Sequence, residues 1–154
     1  MRVRFFREKN AAKKAAGFDS LMLQLPADRK NENTVTMLKS QVAQAYNTEN
    51  NNAMFAKWAK DLPMSARTSM YNNISWTMAE KNENMQEAKK MSEEATMWAK
   101  MQMSKPTEKQ PVSMTAKQWK QQREENYAMY ADTYAFIMYN LGDYKTGLPY
   151  AKDG

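Results

Sequence analysis

The stretch ADTYAFIMYNLGDYKTGLPYAKDG, residues 131–154, decides the fold class. Its first half places apolar side chains at three- and four-residue steps, which predicts a helix with one apolar stripe: Tyr134, Ile137, Met138 and Leu141. Gly142 favours the positive φ that closes a helix, and Asp143 can cap the next one. Leu148 and Ala151, three residues apart, predict a second helix, which Gly147 allows to press against the first. The unit is a helix hairpin.

Length and composition predict one globular domain. The chain has 154 residues, of which 42% are hydrophobic, with only four Gly and five Pro. This is enough for a real core and is unlike a disordered or fibrous chain. No run approaches the ~20 apolar residues of a membrane span, so no membrane span is expected. The basic start lacks the apolar stretch of a secretory signal. The protein is therefore cytoplasmic if the chain is complete as given, or a piece of something longer.

Cysteine and histidine are both absent. Their absence removes disulfides, thiol nucleophiles, Ser-His-Asp triads and His/Cys metal sites. Neighbouring acids such as Glu93 and Glu94 point about 100° apart on a helix, which favours a solvated surface over acid–base catalysis. We therefore expect a protein that is not an enzyme and that uses no cofactor or metal.

Most of the net charge of +6 belongs to a basic N-terminal segment, residues 1–30. This segment has eight Lys or Arg against three Asp or Glu, a balance of +5. Residues Arg2 to Ala16 favour a helix that Gly17 would stop, with its arginines and lysines in solvent. Such a helix could bind an anionic surface or nucleic acid. A solvated face on a packing helix is the favoured reading, and no nucleic-acid partner is expected.

Two further hairpins are predicted in the middle of the chain. Residues 34–62 hold two runs with helical period, separated by the polar sequence NTENNN and capped by Asn33 or Thr34. Residues 64–103 hold a second pair, broken at the sequence KNEN. There Asn84 followed by Glu87 imitates a capping box, and Ala88 is the small residue where the two helices meet.

The last hairpin, residues 113–154, begins after a loop. The sequence KPTEKQPV at residues 105–112 contains two prolines and predicts irregular structure. Thr115 and Gln118 form a capping-box pattern. The apolar period then continues into residues 131–154, which predicts one helix of roughly 26 residues and on the order of 39 Å.

The opening stretch resembles the tetratricopeptide (TPR) repeat. The matching residues are Ala135, Gly142, Asp143, Tyr144, Gly147 and Leu148. Residues 64–154, with the sequence NNISW, a long loop and an extended helix ending at LGDY, look like the TPR-like region beside thioredoxin-fold domains in exported bacterial proteins. The resemblance implies a periplasmic or exported protein, with a thioredoxin-fold domain in the same parent chain as a partner and redox cysteines outside this chain.

Fifteen methionines raise the alternative of a copper site, since thioethers suit Cu(I). The cluster in question is Met97, Met101 and Met103. Methionine also fills irregular cores, and Met91, Met97 and Met138 fall in predicted packing helices. Core packing is the favoured interpretation.

These observations predict an all-α fold of six or seven helices, a single TPR-like domain over residues 1–154 built of antiparallel hairpins stacked as a superhelix. The expected function is non-catalytic: an interaction or scaffold domain that binds a protein or peptide segment. The alternatives are a stand-alone cytoplasmic peptide-binding adaptor and a binder of anionic surfaces. Six residues on the first helices of the last two hairpins are candidate peptide contacts: Asn72, Asn73, Trp76, Met129, Thr133 and Phe136.

The short last helix raises one further expectation. Stacked repeats need a polar cap, so the apolar side of residues 144–154 should be covered. The candidates are further chain, the N-terminal helix, or a second copy that makes a homodimer through this helix.

Overall fold

The all-α prediction is confirmed. A computed structural model describes residues 2–154, which form eight α-helices and one 3-10 turn and contain no β-strand. The helices are α1 (Arg2–Arg7), α2 (Ala11–Gln24), α3 (Glu32–Thr48), α4 (Asn52–Lys60), α5 (Met64–Lys81), α6 (Met85–Ser104), α7 (Ala116–Asn140) and α8 (Tyr144–Asp153). No helix in this part of the chain is long and apolar enough to cross a bilayer.

The structure has more helices than the six or seven expected because the N-terminal segment forms two. The single helix predicted up to a stop at Gly17 is wrong. Asn10 breaks it by capping α2, accepting the Lys13 amide at 2.9 Å. Gly17 lies inside α2, where an added Cβ would meet the Phe5 ring at 3.3 Å. Its small size therefore lets α1 approach α2 rather than ending the helix.

The chain divides into two compact units, and the boundary falls after Arg67, inside α5. In the first unit, Phe18 of α2 meets Trp58 of α4 edge-on at 5.4 Å between ring centroids. The Ala11 amide donates to the Glu49 carboxylate at 2.8 Å, which ties the start of α2 to the end of α3. Lys39 and Asp61 form an ion pair at 2.7 Å that holds the pKa of the Asp61 carboxyl below its ordinary value.

The second unit, Thr68–Gly154, contains most of α5 together with α6, α7 and α8. Helices α5 and α7 run in the same direction, because their contacts advance together along both: Thr68 with Tyr130, Trp76 with Phe136, and Ala79 with Asn140. Helix α6 runs opposite to α7, since Thr96 Oγ1 donates to the Tyr130 carbonyl and Arg123 donates to the Gln102 carbonyl. Buried Ala79, Ala88 and Ile137 join the three helices in one core.

Three turns between consecutive helices share one backbone geometry. Each contains a residue with positive φ: Asn50 (57°), Asn82 (52°) and Gly142 (80°). The next amide in each turn donates five residues back at 2.9 Å: Asn51 to Tyr46, Glu83 to Met78, and Asp143 to Met138. This is the Schellman pattern, which satisfies the last free carbonyls of a helix. The turns close α3, α5 and α7, the first helices of the hairpins predicted over residues 34–62, 64–103 and 113–154.

The helix caps agree with the sequence at two sites and differ at two. Asp143 caps α8, and Thr115 with Gln118 forms both bonds of the capping box at α7. Helix α3 is capped by Asn31, not by Asn33 or Thr34. The box predicted at Asn84 is absent, because that residue has φ 50° and its side chain makes no cap bond.

The last helix packs through the predicted glycine but not through the predicted apolar pair. Gly147 is its buried residue, and an added Cβ would meet Met138 Cβ at 3.0 Å and the Ala135 carbonyl oxygen at 3.3 Å. Leu148 and Ala151, the predicted apolar pair, are exposed. Tyr150 instead provides the contact, edge-on to Tyr134 at 4.8 Å. The homodimer through this helix stays a prediction.

Candidate functional site

The six predicted contact residues lie on the two parallel helices of the second unit. Asn72, Asn73 and Trp76 belong to α5, and Met129, Thr133 and Phe136 belong to α7. The structure brings the two groups together at one point, where the rings of Trp76 and Phe136 lie 5.0 Å apart at 39°. We call Asn73, Trp76, Met129 and Phe136 the α5/α7 strip.

The strip presents apolar surface to solvent. Trp76 is 41% exposed and Met129 is 51% exposed. Phe136 is half-buried beneath the Trp76 contact, while Asn73 is exposed one turn before Trp76. Large exposed aromatic and thioether side chains are depleted on ordinary surfaces and enriched where proteins bind one another. The strip can therefore bury apolar side chains of a partner.

The other two predicted residues lie under the strip. Thr133 is buried, and its hydroxyl donates to the Met129 carbonyl at 3.2 Å. Asn72 is only 5% exposed, and no described residue donates a hydrogen bond to its Oδ1. A buried amide oxygen without a partner costs about 1–3 kcal/mol. Both residues underlie the surface that Asn73 and Trp76 present.

Known protein families, curated proteins and solved structures give no significant match to this chain.

Three tyrosines of α7 have pKa values shifted by burial. Burial is the main cause that raises the pKa of Tyr127 and of Tyr134 to about 12, and it also raises the pKa of Tyr130. All three phenols are therefore neutral at pH 7 and unsuited to act as bases. Across residues 2–154, no three His, Cys, Asp or Glu side chains are grouped so that they could hold a metal ion.

The methionines are divided between core and surface. Met91 and Met138 are buried, as the core interpretation predicts. Met97 is 62% exposed, so its predicted place in the core is wrong, and Met101 one turn later is also exposed. Both lie on the face of α6 that turns away from the buried residues Ala95 and Ala99. Sequence periodicity missed this because methionine occurs on both faces of that helix.

A cavity that the sequence did not predict lies in the first unit. A cavity of about 380 Å³ opens between α1 and α2, lined in part by Phe5, Lys14, Gly17 and Leu21. The sequence placed every lysine of this segment in solvent. That is wrong for Lys14, which is buried. The available signal was its spacing of three and four residues from Ala11 and Phe18, which are buried too.

Proposed function

We propose that this protein is a non-catalytic interaction domain whose α5/α7 strip binds an extended segment of another protein. The observation that carries the proposal is the pair of parallel helices with Trp76 and Phe136 in contact and Trp76 still open to solvent. Two parallel helices with a shared exposed seam form a groove into which a peptide can lay its side chains. Trp76 is the natural anchor, because exposed tryptophans dominate binding energies in such sites.

The proposed TPR-like stacking is supported by the repeated local geometry of the hairpins. Each turn ends its first helix with the same positive-φ motif. The residue four places after each cap of the second helix is buried: Phe55, Ala88 and Gly147. The first two are 33 residues apart, close to the period of about 34 in TPR arrays. The last two are 59 apart, and the added length falls in the loop before α7 and in α7 itself.

The hydrogen-bonding capacity of the strip favours a peptide over a small apolar ligand. Asn73 offers an exposed amide with both a donor and an acceptor, which matches a peptide backbone. Met129 is adaptable in shape and tolerates several partner side chains. Anchors of this kind bind short sequences with one or two apolar residues. The assignment to the helical part of an exported thioredoxin-like protein rests on the resemblance of residues 64–154.

A peptide-display selection against the full chain tests the proposal. Peptides enriched on the native protein are then measured on Trp76→Ala and on the matched control Tyr139→Ala, an exposed aromatic of α7 outside the strip. We expect Trp76→Ala to weaken binding about tenfold or more, a loss of roughly 1.4 kcal/mol. Tyr139→Ala should bind as the native protein does. Equal binding by both variants, or no enrichment over Trp76→Ala, overturns the proposal.

A further inference from the structure

The cavity between α1 and α2 combines an apolar wall with cationic groups. Phe5, Gly17 and Leu21 form part of the wall. Arg4 and Lys13 line the same space. Its volume of about 380 Å³ falls in the range of roughly 300–1,000 Å³ that is typical of small-molecule sites. A ligand suited to this space has an apolar body and a negative charge.

Lys14 is the central observation. It is only 6% exposed and lines the cavity, with its ammonium 5.5 Å from the centroid of the Phe5 ring. None of the described carboxylates lies within ion-pair distance of it. The face of the ring attracts this cation electrostatically. A buried ammonium is normally paired with an acid, and among the described residues no acid forms an ion pair with Lys14.

The neighbouring groups leave the cavity positively charged. Arg4, Lys13 and Lys14 contribute three cations, against one acid, Glu8. The Glu8 carboxylate already accepts the Asn10 amide at 2.9 Å and so helps to hold the break between α1 and α2. The remaining polar lining, Ser20 and Gln24, is neutral. An anion in the cavity would therefore meet a net charge of +2.

We propose that this cavity is a binding site for a small organic anion with an aromatic or aliphatic body. The anionic head pairs with Lys14 and Arg4, and the body packs on Phe5 and Leu21. The site differs from a general anionic-surface patch because its key cation is buried in a concave space rather than displayed on a helix face. It also lies on residues separate from the α5/α7 strip, so each site can fail its test without affecting the other.

A matched pair of fluorescent probes tests the site on the full chain. Anilinonaphthalene sulfonate carries the anionic head, and N-phenylnaphthylamine is the same aromatic body without it. Lys14→Met removes the buried charge and keeps the length of the side chain, while Lys9→Met removes an exposed lysine of the same segment that does not line the cavity. We expect the sulfonate affinity to fall about tenfold or more in Lys14→Met, as for a lost charged hydrogen bond. Lys9→Met should bind the sulfonate as the native protein does, and the uncharged probe should bind both variants equally.

Two additions keep the test decisive. Arg4→Gln alters an exposed cavity residue, and its expected loss of sulfonate affinity does not depend on the buried position tolerating change. Competition then separates the sources of the anion: laurate should displace the sulfonate, while inorganic phosphate at the same concentration should not. Equal sulfonate binding by Lys14→Met and Lys9→Met overturns the proposal. So does displacement by phosphate alone, or binding only to anionic vesicles with no difference among the variants.

Discussion

The buried hydroxyl of Tyr127 makes the stability of the folded protein depend on pH in the alkaline range. Its hydroxyl donates to the Asp153 carboxylate at 2.7 Å, joining α7 to the last turn of α8. Burial, and then this hydrogen bond, raise the pKa of Tyr127 to about 12 from an ordinary value of 10.0. Above the ordinary pKa the unfolded chain loses this proton while the folded protein keeps it. The stabilisation is therefore complete below pH 10 and is lost as the pH rises toward 12.

Replacement of Tyr127 by Phe should reduce the loss of folding stability at alkaline pH. We expect the free energy of unfolding to fall less steeply with pH in the variant than in the native protein, because one of the tyrosines with a raised pKa has gone. Below pH 10 the variant should be about 1 kcal/mol less stable, since one hydrogen bond is lost. Urea denaturation on both sides of pH 10 measures both effects. Tyr139→Phe, at an exposed site, is the control, and an unchanged slope in Tyr127→Phe would refute the coupling.

Arg123 stabilises the end of α6 from the neighbouring helix. Its Nη1 donates to the carbonyls of Gln102 at 2.6 Å and Met103 at 3.3 Å, and its guanidinium stacks on Trp119 at 4.4 Å. The last carbonyls of a helix lack partners within the helix and carry partial negative charge. One cation thus satisfies two of them.

The variant Arg123→Met retains much of the stem against Trp119 but loses both charged hydrogen bonds. We expect it to lower the free energy of unfolding by about 1.5–3 kcal/mol, measured by urea denaturation. Lys120→Met is the matched control on the same helix. Its ion pair with Glu124 is long, 3.8 Å, and exposed, so a change within roughly 0.5 kcal/mol is expected. Equal losses in the two variants would mean that Arg123 acts only as surface charge.

At the scale of the element, the three Schellman turns provide an internal comparison. Gly142 has φ 80° and open space where a Cβ would stand, so only backbone strain opposes a side chain there. We expect Gly142→Ala to destabilise the protein by about 1–2 kcal/mol. Gly142→Asn should cost less, because asparagine tolerates this conformation and already occupies it at positions 50 and 82. Thermal unfolding of the two variants measures which is more stable. An alanine variant as stable as the asparagine variant would contradict the prediction.

Helices determined by local signals could be predicted from the sequence, whereas features determined by packing between helices could not. Helix α7 was predicted at about the right length, 25 residues, because its capping box and its apolar period are both local signals. The division between α1 and α2 was missed because it depends on the Asn10 cap and on Phe5 packing over Gly17. The buried face of α8 was predicted in part. Gly147 was expected to lie against α7 and does, but Tyr150 makes the other contact, where Leu148 and Ala151 had been expected.

At the scale of the whole molecule, the candidate sites also differ in whether local sequence signals or tertiary packing determine them. The apolar spacing predicted the helices that carry Trp76 and Phe136, the resemblance to TPR repeats selected their face, and the structure brings the two rings together. The burial of Asn72 and Thr133 could not be foreseen, because short polar residues fit either side of a helix. The cavity beside Lys14 depends on how two helices pack, so no local pattern indicated it.

The longest loop should be where the folded chain is first cut by trypsin. Eleven residues separate α6 from α7, and Val112 among them is fully exposed. Exposed loops of this kind are the preferred sites of proteolytic cleavage. Lys105 precedes a proline, which trypsin cleaves poorly, and the Gln102 side chain holds the start of the loop at Thr107 through bonds of 2.8 and 2.9 Å. Lys109 is therefore the expected first site.

Cleavage at Lys109 should leave the two fragments associated, because the bonds from Thr96 to Tyr130 and from Arg123 to Gln102 and the core around Ile137 all bridge the cut. We expect one early cleavage by mass spectrometry and co-elution of both fragments in gel filtration. The variant Lys109→Gln should remain intact for longer under the same conditions. Lys120→Gln, which alters a lysine within α7, should be cut as fast as the native protein. First cleavage inside α7 would contradict the expectation that the loop is the most accessible site. Separation of the fragments would mean that α6 and α7 are held together by the loop rather than by their packing.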